Sequence, residues 1–222
     1  MNRNRLFDRS NSFFMALERI ANFCILNALT IVMCLPLITA GAAITAGNRV
    51  MQSMLTDGEL HIVKSFFQVF GSNFRQSTVL GLFFLFIIAF LGFDFIIVYL
   101  HFQQGMEIVM YVVLGIITLI SVGTAAYTFA MLGRYENTLR GHLDNAFYLV
   151  FRQLPRTIAI VVIWLSPVLI AIVSPAWFLS YPSIGLWTFV GMSSILYLVT
   201  LLMMPVFRQL EASETDEEGD SQ

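Results

Sequence analysis

The sequence VLGLFFLFIIAFLGFDFIIVYL, residues 79–100, contains one charged residue, Asp94, in 22 positions. About 20 consecutive apolar residues are enough for an α-helix to cross the hydrocarbon core of a bilayer. Backbone amides in that core have no water to bind, so their hydrogen bonds must form within the segment. Residues 79–100 therefore predict a transmembrane helix.

The rest of the chain has the same character. It is 58% hydrophobic and 12% charged, whereas soluble domains carry about 25% charged residues. Lipid is therefore expected to be the main solvent. The sequence predicts an all-α, polytopic membrane helix bundle over residues 20–209, with crossings near 20–46, 79–100, 108–132, 157–179 and 184–207.

The two ends differ from this bundle. Residues 1–19 carry apolar side chains at near-helical spacing against charged ones, which is typical of a helix lying in the membrane interface. Residues 210–222 are acidic and too polar to bury a core, so they are predicted to be disordered. The last twelve residues hold six of the 14 acidic side chains; without them, twelve basic residues oppose eight acidic ones, a net charge of +4.

Basic residues indicate the orientation, because cytoplasmic loops carry an excess of Lys and Arg. The loops after the first and third crossings and the segment after the fifth contain such residues, whereas 101–107 and 174–185 contain none. Five crossings then place the basic loops and the C-terminus in the cytoplasm and the N-terminus outside. The N-terminal arginines disagree with this assignment. Pro36 offers an alternative, a broken or re-entrant first segment with both ends inside.

The two long basic loops each contain an amphipathic helical pattern. In the second loop, Leu143, Ala146, Phe147, Val150, Phe151 and Leu154 form one apolar stripe. In the first loop, the stripe is Val63, Phe66, Phe67, Phe70 and Phe74. These helices are expected either to lie in the headgroup layer or under their own bundle, or to dock a partner protein. The candidate interface residues are Phe67, Gln68, Phe70, Asp144, Phe147, Phe151, Arg152 and Pro155.

A weak internal repeat links the two loops. AGAAITA at 40–46 corresponds to VGTAAYT at 122–128, and each is followed by a basic linker and an apolar segment. The small residues Ala42, Ala43, Ala46 and Gly47 form two pairs spaced four apart, which predicts close helix packing.

Four motifs, LPLITAGAAITA (35–46), SFFQVFGSNFRQST (65–78), GRYENT (133–138) and LPRTI (154–158), resemble the YesL family, domain-of-unknown-function family 624. The resemblance implies a bacterial cytoplasmic membrane protein without established activity. It also implies a genomic setting, since members often lie beside genes for carbohydrate-uptake ABC transporters and polysaccharide degradation. Separately, DNAFYLVFRQLPRTI (144–158) resembles the cytoplasmic coupling loop of ABC permeases, with Asn145 in place of the usual Gly.

The sequence gives no indication of an enzyme, a cofactor or nucleic-acid binding. His61, His101 and His142 are predicted to lie in loops far apart, and neither Cys24 nor Cys34 has metal-site spacing. Arg134 and Glu136 are interpreted as anchors at the end of the third crossing that pair with the other repeat.

Two functions remain open. One is a non-enzymatic accessory or scaffold protein that binds permease or ATPase subunits of an ABC importer. The other is a transporter, for which Asn27 and Asp94 are the candidate intramembrane polar residues.

Overall fold

The computed structural model describes residues 12–56, 61–101, 105–173, 185 and 187–220. Within them the chain forms α-helices and no strands, which confirms the predicted all-α fold. The helices are α1 (Ser12–Cys34), α2 (Ala40–Thr56), α3 (Ile62–His101), α4 (Met106–Leu132), α5 (Leu139–Arg152), α6 (Leu154–Val173) and α7 (Met192–Asp220). A 3₁₀ turn, Leu37–Thr39, precedes α2, and a π-helical turn, Trp187–Gly191, precedes α7.

Among the described residues, five spans are long and apolar enough to cross a membrane, as the sequence predicted. They are Leu17–Cys34, Ile62–His101, Met106–Leu132, Leu154–Val173 and Phe189–Gln209. These spans fit a multi-pass membrane protein. Most of the predicted interfacial helix and the turn between the fourth and fifth crossings lie outside the described residues.

The first predicted crossing, 20–46, is divided between two helices. Proline disfavours helical geometry at the residue before it, and α1 accordingly ends ahead of Leu35 and Pro36. The Thr39 hydroxyl then donates to the Met33 carbonyl oxygen at 2.6 Å, which satisfies one of the free carbonyls at the end of α1.

After this break the chain reverses, and α2 runs back along α1. Gly47 of α2 packs against Thr30 of α1, and near the other end of the pair Arg19 and Phe23 line a groove with Met51 and Leu55. The start of α1 and the end of α2 therefore lie at the same end of a helical hairpin. This arrangement corresponds to the broken-segment alternative rather than to a single crossing.

The first amphipathic stretch is not a separate helix but the beginning of α3, which continues for 40 residues. No proline interrupts it. In the second loop, by contrast, a turn at Gln153 separates α5 from α6, and Pro155 is the second residue of α6. Proline is tolerated there because the first amides of a helix have no intrahelical partner. The two halves of the predicted repeat thus differ in helix continuity.

The core surrounds the C-terminal part of α4, where every residue from 122 to 132 is buried. Tyr127 and Ala130 pack there with Val150 of α5 and Met203 of α7. The Gln52 side chain of α2 donates to the Ala130 carbonyl oxygen at 3.1 Å, which ties α2 to the same centre.

The second half of α3 and the first half of α4 form a hairpin outside this core. Leu91, Val98 and Leu114 join the two helices, and the Phe95 and Tyr111 rings stack with centroids 6.1 Å apart. Most other large side chains of this hairpin are exposed and apolar, including Phe86, Phe93 and Ile108. Such a surface indicates contact with the lipid bilayer.

Candidate functional site

The loop between α4 and α5 prepares the N-terminus of α5. The Thr138 side chain accepts a hydrogen bond from the Gly141 amide at 3.1 Å, and the Asn137 side chain accepts one from the Thr138 amide at 2.7 Å. An N-cap threonine satisfies an amide that the helix itself leaves free. These bonds fix where α5 begins and hold the loop against it.

One face of α5 is fully packed. His142, Ala146, Leu149 and Val150 are buried, and Val150 lies against Gly123 of α4, where a larger residue would not fit. Of the predicted stripe, Ala146 and Val150 lie on this face, while His142 and Leu149 were not in it.

The opposite face exposes aromatic and charged side chains. Phe147 is 51% and Phe151 48% exposed, and their rings meet edge to face with centroids 5.0 Å apart. The Arg152 guanidinium lies over the Tyr148 ring at 5.8 Å. Arg140 and Asp144 form an exposed pair at 3.7 Å, and such pairs contribute little stability. The predicted interface residues on α5 are therefore accessible, as is Pro155.

The corresponding residues of α3 differ more in their exposure to solvent. Phe66 is buried, Phe70 is half-buried, and Phe67 and Gln68 are exposed. Gln68 lines a groove of about 500 Å³ that also includes Ser72, Glu136 and Asn137. The structure thus brings the polar face of α3 next to the α4–α5 loop, although 68 and 136 are far apart in sequence.

A three-residue cluster fastens α7 to that loop. The Arg134 Nε and Nη2 atoms donate to Glu211 Oε1 at 2.9 and 2.6 Å, and the Tyr135 hydroxyl donates to the same oxygen at 3.0 Å. The Arg134 guanidinium also lies 5.3 Å from the centroid of the Phe207 ring. Arg134 is an anchor, as interpreted from the sequence, but its partner belongs to α7 and not to the other repeat.

The same cluster changes two pKa values. Partial burial raises the pKa of the Glu211 carboxyl, but hydrogen bonds from Arg134 and Tyr135 lower it more, so the net pKa lies below its ordinary value. Burial, together with the hydrogen bond to Glu211, raises the pKa of Tyr135 to about 12. The structure differs from the disorder predicted for the tail, 210–222. Helix α7 continues to Asp220, and Arg134 and Tyr135 bind Glu211.

The candidate intramembrane polar residues lie apart. Asn27 is buried between α1 and the start of α7: its side chain accepts from the Ser193 amide at 2.9 Å and donates to the Trp187 carbonyl oxygen at 3.4 Å. Asp94 is half-buried in the second half of α3. Asn27 thus braces the π-helical turn, and the two residues do not share a site.

The small residues predicted to pack closely, Ala42, Ala43, Ala46 and Gly47, are all buried in α2. The tightest approach is one residue earlier, at Gly41, whose Cα lies against α3 beside Ser77 and Gly81. Gly41 lies outside the two predicted pairs, since the four-residue spacing of small residues does not show which contact is closest.

In the part of the chain that the structure describes, no three His, Cys, Asp or Glu side chains come together in a group that could hold a metal ion. His101 ends α3 and His142 lies within α5, so these two histidines belong to helices and not to loops as predicted.

Comparison with known proteins gives one similarity. Residues 23–95, about a third of the chain, match the model of the family described as "Protein of unknown function, DUF624". This match covers the second half of α1, all of α2 and most of α3, and it agrees with the resemblance found in the sequence. No curated protein and no solved structure matches the chain.

Proposed function

From the match of residues 23–95 to the model of the DUF624 family, we propose that the chain is a non-enzymatic accessory or scaffold subunit of a carbohydrate ABC uptake system. It would bind the permease or ATPase subunits of the importer through α5 and the first turns of α3. The choice of partner follows from the coupling-loop resemblance of residues 144–158 and from the genomic setting implied by the family resemblance.

The observation that carries the proposal is the exposed face of α5. Aromatic residues and arginine are enriched at protein interfaces, particularly where binding energy concentrates. Phe147, Tyr148, Phe151 and Arg152 supply both kinds on one short helix. The N-cap and the packed face hold α5 in place before any partner arrives, so binding would order little additional chain.

The α1–α2 hairpin supports a cytoplasmic location for this end of the protein. It brings Arg19 to the same end as the close of α2, from which the basic linker leads into α3. With α1 and α2 running in opposite directions, Arg19 and the described residues of the two basic loops are no longer on opposite sides. Their common side would then be the cytoplasmic one, where membrane proteins carry an excess of Lys and Arg.

Single changes on polar positions test the proposal without disturbing the apolar packing. Gln68→Ala and Arg152→Glu, made separately and together, should leave expression and thermal melting intact. The double variant should recover less than a tenth of the importer subunits that the wild-type protein retains in pull-downs, and uptake of the cognate sugar should slow.

A matched control exists on α7, where Arg208 and Gln209 are also exposed. Arg208→Glu with Gln209→Ala makes the same chemical changes away from α5 and should behave like wild type. Wild-type recovery and uptake in the Gln68→Ala, Arg152→Glu protein would refute the proposal.

A second function, transport of a small solute by the protein itself, is favoured by one feature of α2. This helix follows the break in helical structure after α1 and carries buried polar side chains. Within the described residues, Asn48 Oδ1 and Gln52 Oε1 have no hydrogen-bond partner. Broken helices with polar midplane groups are typical of transporters. Sugar uptake by the purified protein alone in liposomes, abolished by Gln52→Leu, would favour transport over the accessory role.

A further inference from the structure

A cavity of about 440 Å³ lies between the end of α4, the α4–α5 loop and α5. It shares Tyr148 with the exposed face of α5, but neither Phe147 nor Phe151 lines it. The polar side chains that line it are Tyr135, Glu136, Asn137, His142, Asn145 and Tyr148. This combination contains two phenol rings, two amides, an imidazole and a carboxylate.

The charge of this lining favours a cation. Glu136 is the charged residue among the lining side chains, and it has no ion-pair partner in the described part of the chain. Among the described residues, no Lys or Arg side chain lines the cavity. A bound cation would therefore meet an attractive carboxylate, whereas an anion would meet a repulsive one.

His142 adds an unsatisfied group. The residue is 1% exposed, and its Nδ1 atom has no hydrogen-bond partner among the described residues. Burial lowers the pKa of His142, so the ring is neutral at pH 7. One nitrogen of a neutral imidazole can accept a hydrogen bond from an N–H group. Leaving a buried polar atom unpaired costs free energy, and a ligand with N–H donors would reduce that cost.

Tyr148 provides a second attraction for positive charge. Cations bind over the face of an aromatic ring. The Arg152 guanidinium lies 5.8 Å from the Tyr148 centroid, so a bound ammonium group would use the other face of this ring.

We propose that this cavity binds an ammonium group, as carried by the headgroup of a zwitterionic phospholipid or by a small soluble amine. Exposed apolar residues continue from Phe151 of α5 to Leu154 and Ile158 of α6. Lipid at that face would be able to place its headgroup at the cavity.

Native mass spectrometry of the full chain in detergent tests the proposal. Phosphatidylethanolamine and phosphatidylcholine carry an ammonium group, and phosphatidylglycerol does not. The wild-type protein should retain at least one of the first two about tenfold more tightly than phosphatidylglycerol, a difference of about 1.4 kcal/mol.

Two variants should lose this preference. Glu136→Gln removes the carboxylate charge, and Tyr148→Leu removes the ring; each should bring ammonium lipids to the level of phosphatidylglycerol. Asp144→Asn is the matched control, because it removes one negative charge from α5 at a position that does not line the cavity. Equal retention of all three lipids by wild type, or an unchanged preference in Glu136→Gln, would overturn the proposal.

A competition experiment then identifies the source of the ammonium group. Free ethanolamine at millimolar concentration should displace phosphatidylethanolamine if the cavity takes soluble amines. If lipid stays bound while ethanolamine is present, the ligand is the membrane headgroup. Both results require the Glu136-dependent preference and differ only in the molecule that supplies the charge.

Discussion

At the scale of single residues, Gly41 controls how closely α2 approaches α3. A Cβ atom at this position would overlap the Ser77 carbonyl oxygen and would lie 2.9 Å from the Gly81 Cα. Backbone atoms cannot move aside as a flexible side chain can. The smallest possible substitution therefore has to separate the two helices.

Gly41→Ala should lower the free energy of unfolding in detergent by about 1–3 kcal/mol, the usual range for overpacking a tight contact. Gly115→Ala is the control, since apart from the adjoining helix backbone no described atom lies within 4 Å of the added methyl group there. Thermal melting of the two variants measures the difference. Equal melting temperatures for Gly41→Ala and wild type would show that α2 and α3 do not meet at this position.

The second prediction concerns the pH dependence of the stability that Glu211 contributes. Its folded-state pKa is depressed, so its contribution to stability is present above the ordinary pKa of 4.5 and is lost as pH falls through the lower folded-state value. Glu211→Gln should therefore cost about 1 kcal/mol at pH 7, as expected for a half-exposed pair.

The difference between wild type and Glu211→Gln should shrink as the pH drops below 4.5. Melting curves of both proteins between pH 3 and 7 measure it. A difference that stays constant over this range would mean that the Arg134–Glu211 contact does not stabilise the fold through its charge.

At the scale of elements, the continuity of α3 is the feature that the sequence described least well. The polarity of residues 57–78 contrasts with that of 79–100 and predicts a linker with its own amphipathic helix. Polarity changes where a helix leaves the membrane, but backbone hydrogen bonding does not. Without a proline or a cap between 62 and 101, nothing ends the helix.

Gly71 lies in the middle of this stretch and has open space around it. If α3 is one helix there, Gly71→Ala should stabilise the protein by up to about 1 kcal/mol, because alanine loses less conformational freedom in a helix than glycine does. Thermal melting checks this expectation. Unchanged or reduced stability would favour a flexible linker at 71 over a continuous helix.

For α5, the helix and its amphipathic character were predictable, but the face that packs was not. Hydrophobic spacing placed Phe147 and Phe151 with Ala146 and Val150 on one stripe. The structure separates them, because Ala146 and Val150 are buried and Val150 packs against Gly123 of α4, whereas Phe147 and Phe151 are exposed. In a membrane protein, lipid-facing and protein-facing residues are both apolar, so the sequence pattern alone cannot distinguish them.

At the scale of the whole molecule, the number of spans followed from the sequence because each needs only a local run of apolar residues. The hairpin of α1 and α2 did not, since α2 is too polar to be recognised as a membrane segment by composition. The contact of Arg134 with Glu211 joins positions 77 residues apart. No local sequence pattern can predict a contact between residues so far apart in the chain.

The hairpin predicts which residues share a side of the membrane. In a protein without Cys24 and Cys34, single cysteines at Arg19 and Ser72 should both resist impermeant thiol reagents in intact cells. A cysteine at Met106, at the start of α4, should react. Labelling of Arg19→Cys together with Met106→Cys, and protection of Ser72→Cys, would mean that the chain does not reverse at Pro36.

The central claim is that α5 is a docking surface for importer subunits. Site-specific photocrosslinking tests it most directly, with a photoreactive amino acid at Phe147 on α5 and, as control, at Val112 on the exposed face of α4. In cells growing on the cognate sugar, position 147 should crosslink to a permease or ATPase subunit of the importer, and position 112 to lipid alone. Lipid adducts alone at both positions would contradict the account and would make α5 a strut on the membrane surface.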